Sequence, residues 1–344
     1  MNAVLTGVGA ALPAVVVGND HFSRLGVTDE WIVHRTGVRQ RYRLGADERL
    51  VDLATAAGAA ALADSGVAAD EVDSVVVATT TADRISPGLA PEVAHRLGTR
   101  APGAVDVNGA CTGFLYALDY AMLRVDAGRA DCVLVVGADA MSRITDEDDR
   151  STAVLFGDAA GAVVVRAERG ARRAGCPQFL SFGSAGDHVG LLHVERDDPT
   201  VRMAGGEVYE FAVEAMAHEI RQVCHACGVR TDDLDLLVSH QANARIVRAV
   251  ARRLGSPDHQ VAVYLDRFGN TSAASIPLAV AEAQREGRLT PGARLGMTAF
   301  GAGLTWGAGV VNWKGCVHAV RGTDCPAPAP DASGGRSGDR EHRP

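Results

Sequence analysis

No apolar run in this 344-residue chain approaches the length of a membrane span, and Met1-Asn2-Ala3-Val4 leads into an expected strand without a signal-peptide pattern. A cytoplasmic protein is the simplest expectation. Positive charge is also short: 34 Lys and Arg against 42 Asp and Glu give a formal net charge of −8. That argues against general nucleic-acid binding, while leaving room for a local basic face toward an acidic partner. A disulfide framework is missing too. The seven cysteines, Cys111, Cys132, Cys176, Cys224, Cys227, Cys316 and Cys325, are odd in number and scattered, which suits reduced thiols. Gly7 and Gly9 are followed by Leu12-Pro13 where a dinucleotide fingerprint needs a helix and a third glycine, so no such cofactor site is expected. Cys224-His225-Ala226-Cys227 has a CxxC spacing but no second pair, so no metal site is expected.

What the chain does have is apolar content, 47% of its residues, enough for one large core or two moderate ones. It is organised around Val105 to Asp119, VDVNGACTGFLYALD. A strand-like run gives way to Asn108-Gly109-Ala110-Cys111-Thr112-Gly113, after which Phe114, Leu115, Leu118, Met122 and Val125 recur at helical spacing. A cysteine at such a turn lies near the unpaired N–H groups of a helix start, which favour thiolate over thiol. Cys111 is therefore a candidate nucleophile, with a small buried core residue as the alternative.

Strands and helices alternate elsewhere. Leu50 to Ser65 reads as a helix ending at Gly66, and Asp73 to Thr81 as a strand covered on both faces. Further strands are expected at Asp131 to Asp139 and Gly157 to Val165, implying an α/β sheet covered by helices. Thr28-Asp29-Glu30-Trp31 reads as a capped helix start. The cluster Arg35, Arg39, Arg41, Arg43 beside it is either a phosphate-receiving face or a solvated loop.

The second half echoes the first. Gly66 to Ala78, GVAADEVDSVVVA, aligns without gaps with Gly228 to His240, GVRTDDLDLLVSH, and Arg96-Leu97-Gly98 recurs as Arg253-Leu254-Gly255. Duplication of one α/β unit follows. Packed about a pseudo-twofold axis, such halves bring equivalent loops together: the Cys111 turn, the turn Phe268-Gly269-Asn270-Thr271-Ser272-Ala273, and the strand end Ser239-His240-Gln241-Ala242-Asn243. A cysteine, a histidine and an asparagine facing one cavity suit nucleophilic acyl chemistry. The glycine turn Phe300-Gly301-Ala302-Gly303 can bring backbone N–H groups close to a ligand oxygen.

The motifs DEWIVHRTGVRQR, DVNGACTGF, LFGDAAGA, SHQANARI, FGNTSAASIP and FGAGLTWG, in that order from Leu5 to about Trp313, resemble β-ketoacyl-acyl carrier protein synthase III, a member of the thiolase-fold condensing enzymes. The resemblance implies a five-layered αβαβα fold of two duplicated halves, a homodimer, and a site formed by Cys111, His240 and Asn270. The halves are expected at 1–170 and 171–316, with 317–344 a disordered Pro/Gly/Ser-rich tail. The implied reaction is decarboxylative Claisen condensation of an acyl-CoA starter with a malonyl-carrier-protein thioester through acyl-Cys111, without a cofactor. A related acyltransferase that moves the acyl group to an alcohol or amine is the alternative. A non-catalytic partner subunit would be expected to lack the cysteine.

The resemblance further implies oxyanion and support positions at Ala302 and Phe300. It places Trp31 and Arg150 about the adenine of coenzyme A, Arg35 near its phosphates and Asn243 near its pantetheine arm. Ser86, before Pro87, falls where an aromatic often closes the acyl pocket across the dimer, so a longer or bulkier starter is expected, as in priming of polyketide or specialised lipid synthesis. Arg245, Arg248, Arg252 and Arg253 form one basic stripe opposite Ile246, Val250 and Leu254, a candidate docking face for an acidic carrier protein, with Gln241 beside it. Glu210 replaces an expected basic residue there.

Overall fold

The computed structural model describes residues 2–100, 102–168 and 179–315. The expected boundary between the halves, Cys176, Cys316 and the tail 317–344 lie outside these. The first half contains β1 (Asn2–Ala11), β2 (Val15–Gly18), α1 (Asp29–Thr36), β3 (Gln40–Arg43), α2 (Leu50–Ser65) and β4 (Ser74–Ala78). It continues with α3 (Ala90–Leu97), β5 (Gly103–Val107), α4 (Gly113–Asp126), β6 (Cys132–Ala140) and β7 (Asp158–Glu168). The second contains β8 (Phe179–Ser184), β9 (Leu192–Val194), β10 (Val201–Met203), α5 (Gly205–Ala226), β11 (Leu236–Ser239) and α6 (Ala244–Leu254). After these come α7 (Leu265–Phe268), α8 (Ser275–Arg285), β12 (Arg294–Gly301) and β13 (Thr305–Asn312).

Two main sheets form, with orders β1-β7-β6-β4-β5 and β8-β13-β12-β11. Their pairings match one for one: β4 with β6 and β11 with β12 are parallel, while β6 with β7, β7 with β1, β12 with β13 and β13 with β8 are antiparallel. A parallel bridge from Leu237 to Val261 stands where β5 flanks β4. The duplication read from the sequence is thus also a duplication of topology.

Helices cover both faces of each sheet. α2 and α3 pack on the outer face of the first sheet, α5 on the outer face of the second with α6 beside it, and α4 and α8 lie between the sheets. This is the five-layered αβαβα arrangement: one apolar core runs through the two central interfaces, and each outer interface has its own. The strands β4, SVVVA, and β6, CVLVVGADA, are buried along their whole length, as strands with helices on both faces must be. β5 is an edge strand with Val105 exposed.

The layers approach closely at the centre because small residues line the contact. An added Cβ at Gly137 of β6 would stand 2.3 Å from the Ala273 carbonyl oxygen, a backbone atom that cannot step aside. Gly137→Ala is therefore expected to lower stability by about 1–3 kcal/mol. Gly190, with nothing near its Cβ position, supplies the control. Thermal unfolding of both variants checks this; a Gly137→Ala melting temperature equal to that of Gly190→Ala would show that the halves are not in contact there.

Candidate active site

Cys111 sits in a short helical turn, Ala110 to Thr112, between β5 and α4. Ala110 holds φ 47°, a left-handed conformation uncommon outside glycine. The equivalent turn of the second half, before α8, has Ser272 at φ 50°. The duplicated loops therefore share their rarest backbone feature, and they meet in space. Gly301, ending β12, presses on the first turn: its Cβ position is 2.9 Å from the Cys111 backbone nitrogen. This brings the Phe300–Gly303 turn beside Cys111.

Asn270 is held by the first half. Its backbone N–H donates to the Leu155 carbonyl (2.8 Å), and its carbonyl accepts from Gly157 N–H (3.0 Å). Gly157 is required because a Cβ would stand 2.4 Å from the Phe268 oxygen. The side-chain Oδ1 of Asn270 accepts the Ser272 backbone N–H at 3.0 Å. That bond fixes the amide orientation and leaves Nδ2, a donor, without a protein partner among the described residues.

His240 follows β11 and is buried, its backbone N–H donating to Thr298 of the neighbouring strand. Its Nδ1 lies 2.6 Å from Ser275 Oγ, which also takes the Gln241 N–H at 3.4 Å. A serine oxygen accepting that N–H is set to give its own proton to Nδ1, which places the imidazole proton on Nε2. Burial lowers the imidazole pKa from 6.5 to about 4, so the ring is neutral at physiological pH.

Cys111, His240 and Asn270 line one cavity of about 1510 Å³, together with Phe300 and Ala302. Trp31, Arg35, Arg150, Asn243 and Arg245 stand on the wall of the same cavity. Thr28 caps α1 by accepting the Trp31 N–H, and the Arg35 guanidinium, one turn on, lies 4.8 Å over the Trp31 ring. Asn243 caps α6 and donates to the Arg35 carbonyl, tying α1 to α6. Arg248, Arg252 and Arg253 are exposed on the outer side of α6, with Arg253 paired to Glu214.

Three expectations need correction. Burial pushes the Cys111 thiol up to about 11, the Ser272 contact only partly opposing it and the Asp139 carboxylate adding to it, so the helix start does not produce a resting thiolate. Gln241 cannot dock a partner: it is 3% exposed, its Nε2 donates to the Ser239 and Ala262 carbonyls, and its Oε1 accepts the Tyr264 N–H. Arg41 is neither solvated nor in the cavity. It is fully buried, donating to the Val17 and Val154 carbonyls and to Asn19 Oδ1, and its neighbour Arg43 pairs with Glu147. Ser86 is exposed on its own chain, and Ile85 before it stands on the cavity wall.

Sequence reasoning missed Ser272, Ser275, and the walls supplied by α5 and the β9–β10 hairpin, among them Tyr209, Met216, Leu192 and Met203. The serines are visible in the FGNTSAASIP motif, but only coordinates show which triad member each one touches. Cys224 of α5 and Cys227, just past its end, are buried in the same apolar core.

The family models of 3-oxoacyl-[acyl-carrier-protein (ACP)] synthase III match residues 105–180, and those of its C-terminal part match residues 224–313. The chain is 46% identical over 315 residues to β-ketoacyl-[acyl-carrier-protein] synthase III 2 of Streptomyces coelicolor, covering 91% of this chain and 94% of that one. It is 45% identical over 321 residues to β-ketoacyl-[acyl-carrier-protein] synthase III of Rhodospirillum centenum, covering 91% and 99%. Among solved structures, the 3-oxoacyl-(acyl carrier protein) synthase III of Pseudomonas aeruginosa superposes with a TM-score of 0.86 at 42% identity, over 92% of this chain and 100% of that one. The priming β-ketosynthase of the R1128 polyketide pathway superposes with a TM-score of 0.87 at 34% identity, over 91% and 96%.

The buried imidazole makes stability pH-dependent. Between pH 6.5 and about 4 the unfolded chain takes up a proton that folded His240 refuses. Its contribution is therefore whole above pH 6.5 and lost as pH falls toward 4, by roughly 3 kcal/mol in all. Denaturant titrations at pH 7, 6 and 5 are expected to show a shallower acid loss in His240→Gln than in wild type; parallel curves would mean that the ring is not buried in its neutral form.

Proposed function

The chain belongs to the β-ketoacyl-acyl carrier protein synthase III family of condensing enzymes, and from that premise we propose the division of labour among its residues. The observation that carries it is the convergence of Cys111, His240 and Asn270 on one cavity wall. Cys111 Sγ attacks the carbonyl of an acyl-CoA, and the acyl group moves to the sulfur while coenzyme A leaves as its thiol, carrying the proton. A malonyl thioester on a carrier protein then enters and loses carbon dioxide. The enolate oxygen is stabilised by Nε2–H of His240 and Nδ2–H of Asn270, neutral donors that need no titration. Removing either is expected to cost roughly 3 kcal/mol in rate. The enolate carbon attacks acyl-Cys111, the backbone N–H groups of Cys111 and Ala302 hold the tetrahedral oxygen, and collapse releases a β-ketoacyl thioester and the Cys111 thiolate, which takes a proton from solvent to restore the thiol. Phe300 supports this turn.

Coenzyme A is held at the mouth by Trp31, Arg35, Arg150 and Asn243. Stacking of adenine on an aromatic ring and an arginine plane is physically reasonable, and Arg35 already sits against Trp31. The carrier protein docks on α6 through Arg245, Arg248 and Arg252, with Arg253 shared with Glu214. The chain acts as a cytoplasmic homodimer built from halves 1–170 and 171–316. Support for the dimer is the edge strand β5 with Val105 exposed, together with the exposed apolar side chains Leu123 of α4 (61%) and Ile85 (90%), next to Ser86, which a second copy would cover. Ser86 then closes the partner's acyl pocket with a small side chain, which admits starters larger than acetyl and fits a priming step of polyketide or specialised lipid synthesis.

Intact-mass measurement after incubation with acyl-CoAs of increasing length tests the starter and the nucleophile together. An acyl adduct is expected in wild type and absent in Cys111→Ala, extending to chains beyond acetyl; labelling by acetyl alone would contradict the open pocket. Carbon dioxide release from a malonyl thioester is expected to fall about 100-fold or more in Asn270→Ala. In Arg248→Glu, KM for the malonyl carrier protein is expected to rise with KM for acyl-CoA unchanged; a parallel rise in both would remove α6 as the docking face.

A further inference from the structure

The sulfur of Cys111 has a neighbour that the reaction above leaves unused. Ser272 Oγ lies 3.5 Å from Cys111 Sγ, Ser272 is 2% exposed, and it lines the substrate cavity. Among the described residues no other side chain hydrogen-bonds this sulfur. We propose that Ser272 is a further catalytic residue of the condensing reaction, its hydroxyl donating to the Cys111 sulfur whenever that sulfur carries negative charge.

The need arises from the environment. The sulfur is held by burial as a thiol, and the nearby Asp139 carboxylate opposes anionic charge there. The buried imidazole of His240 is a weak base. Anionic sulfur forms twice in the cycle: as Cys111 attacks the incoming thioester, and as it departs from the tetrahedral adduct of the condensation. A hydroxyl accepts from the resting S–H and, after turning about its C–O bond, donates to the charged sulfur. No bond to Ser272 forms or breaks. The thiol proton leaves with the sulfur of coenzyme A, the thiolate expelled at the end of the condensation takes a proton from solvent, and the hydroxyl keeps its own.

The duplication separates this role from a merely structural one. Ser272 holds φ 50°, yet its counterpart in the first half, Ala110, holds φ 47° without a hydroxyl. The turn therefore needs no oxygen on that side chain. The bond that orients Asn270 comes from the Ser272 backbone N–H, which any residue but proline supplies. Removing the hydroxyl should injure sulfur chemistry and spare enolate stabilisation.

The proposal rests on the condensing reading, and the test separates the two. Ser272→Ala copies Ala110, and Ser272→Gly relieves any strain of the left-handed turn. Each is compared with wild type in two half-reactions: single-turnover formation of acyl-Cys111 from acyl-CoA, followed by intact mass, and carbon dioxide release from malonyl carrier protein. Acylation is expected to fall about 10- to 100-fold in both variants, the span of a hydrogen bond to a charged group, with carbon dioxide release within about twofold of wild type. Acylation at the wild-type rate in either variant would overturn the proposal, as would carbon dioxide release falling in step with acylation. Wild type failing both half-reactions would instead defeat the condensing reading itself.

Discussion

The carboxylate of Asp139, at the end of β6 and fully buried, accepts hydrogen bonds from both halves of the chain. On one side it takes the hydroxyls of Thr79, Thr80 and Thr81 and the Thr80 backbone N–H, fixing the segment after β4. On the other it takes the backbone N–H of Ala273, at 3.1 Å, in the turn that opens α8. A buried carboxylate persists only with such a full set of donors. Here the donors come from both members of the duplication, so satisfying Asp139 requires the halves to be in register. Gly137, two residues earlier, lets the Ala273 carbonyl approach closely enough for that bond to form. The turn so anchored carries Asn270, Ser272 and Ser275, and each of these is, or hydrogen-bonds, one of the three residues proposed to react.

Register at the centre therefore becomes geometry at the site. Asn270 is fixed by the Leu155–Gly157 backbone, His240 by Ser275, and the Cys111 turn by Gly301. The same packing sets the electrostatics. Enclosure favours neutral groups, raising the thiol and lowering the imidazole. A site of this kind is poorly suited to storing a thiolate–imidazolium pair and well suited to holding uncharged donors where an oxygen becomes negative. The asparagine belongs to the same logic, since its amide offers N–H without any titratable proton.

Much of this was legible in the chain. Paired Gly-Val and Arg-Leu-Gly echoes marked the duplication, and duplication with turn signals at Cys111 and Asn270 implied that the loops meet. What the sequence did not disclose depends on where side chains face. Gln241 and Arg41 are polar residues of the kind usually found outside, yet both are buried with most of their polar atoms committed to backbone and side-chain partners, a fate that no periodicity announces. The thiolate expectation failed because helix-end polarity and desolvation act in opposite directions, and only burial in the folded state shows which is larger. Ser272 and Ser275 were visible as letters, three apart in one turn. Their attachment to the cysteine and the histidine depends on tertiary contacts that span 161 and 35 residues.

The arrangement of α6 links the surface to this centre. Its cap, Asn243, donates to the Arg35 carbonyl, so the helix begins at the cavity mouth beside the Trp31–Arg35 pair. Arg245, at its first turn, stands on the cavity wall over the Tyr209 ring, while Arg248 and Arg252 extend the charge outward along one face. At a rise of about 1.5 Å per residue, that face spans roughly 10 Å from Arg245 to Arg252. On the docking proposed above, an acidic carrier along this face would have its near end at the cavity opening. The opposite face of the helix, Ile246, Val250 and Leu254, packs into the core against α5, whose residues Val208, Ala212 and Met216 form part of the cavity wall. One short helix thus couples a charged outer face to an apolar inner one. Its start sits on the wall of the cavity that Cys111, His240 and Asn270 also line.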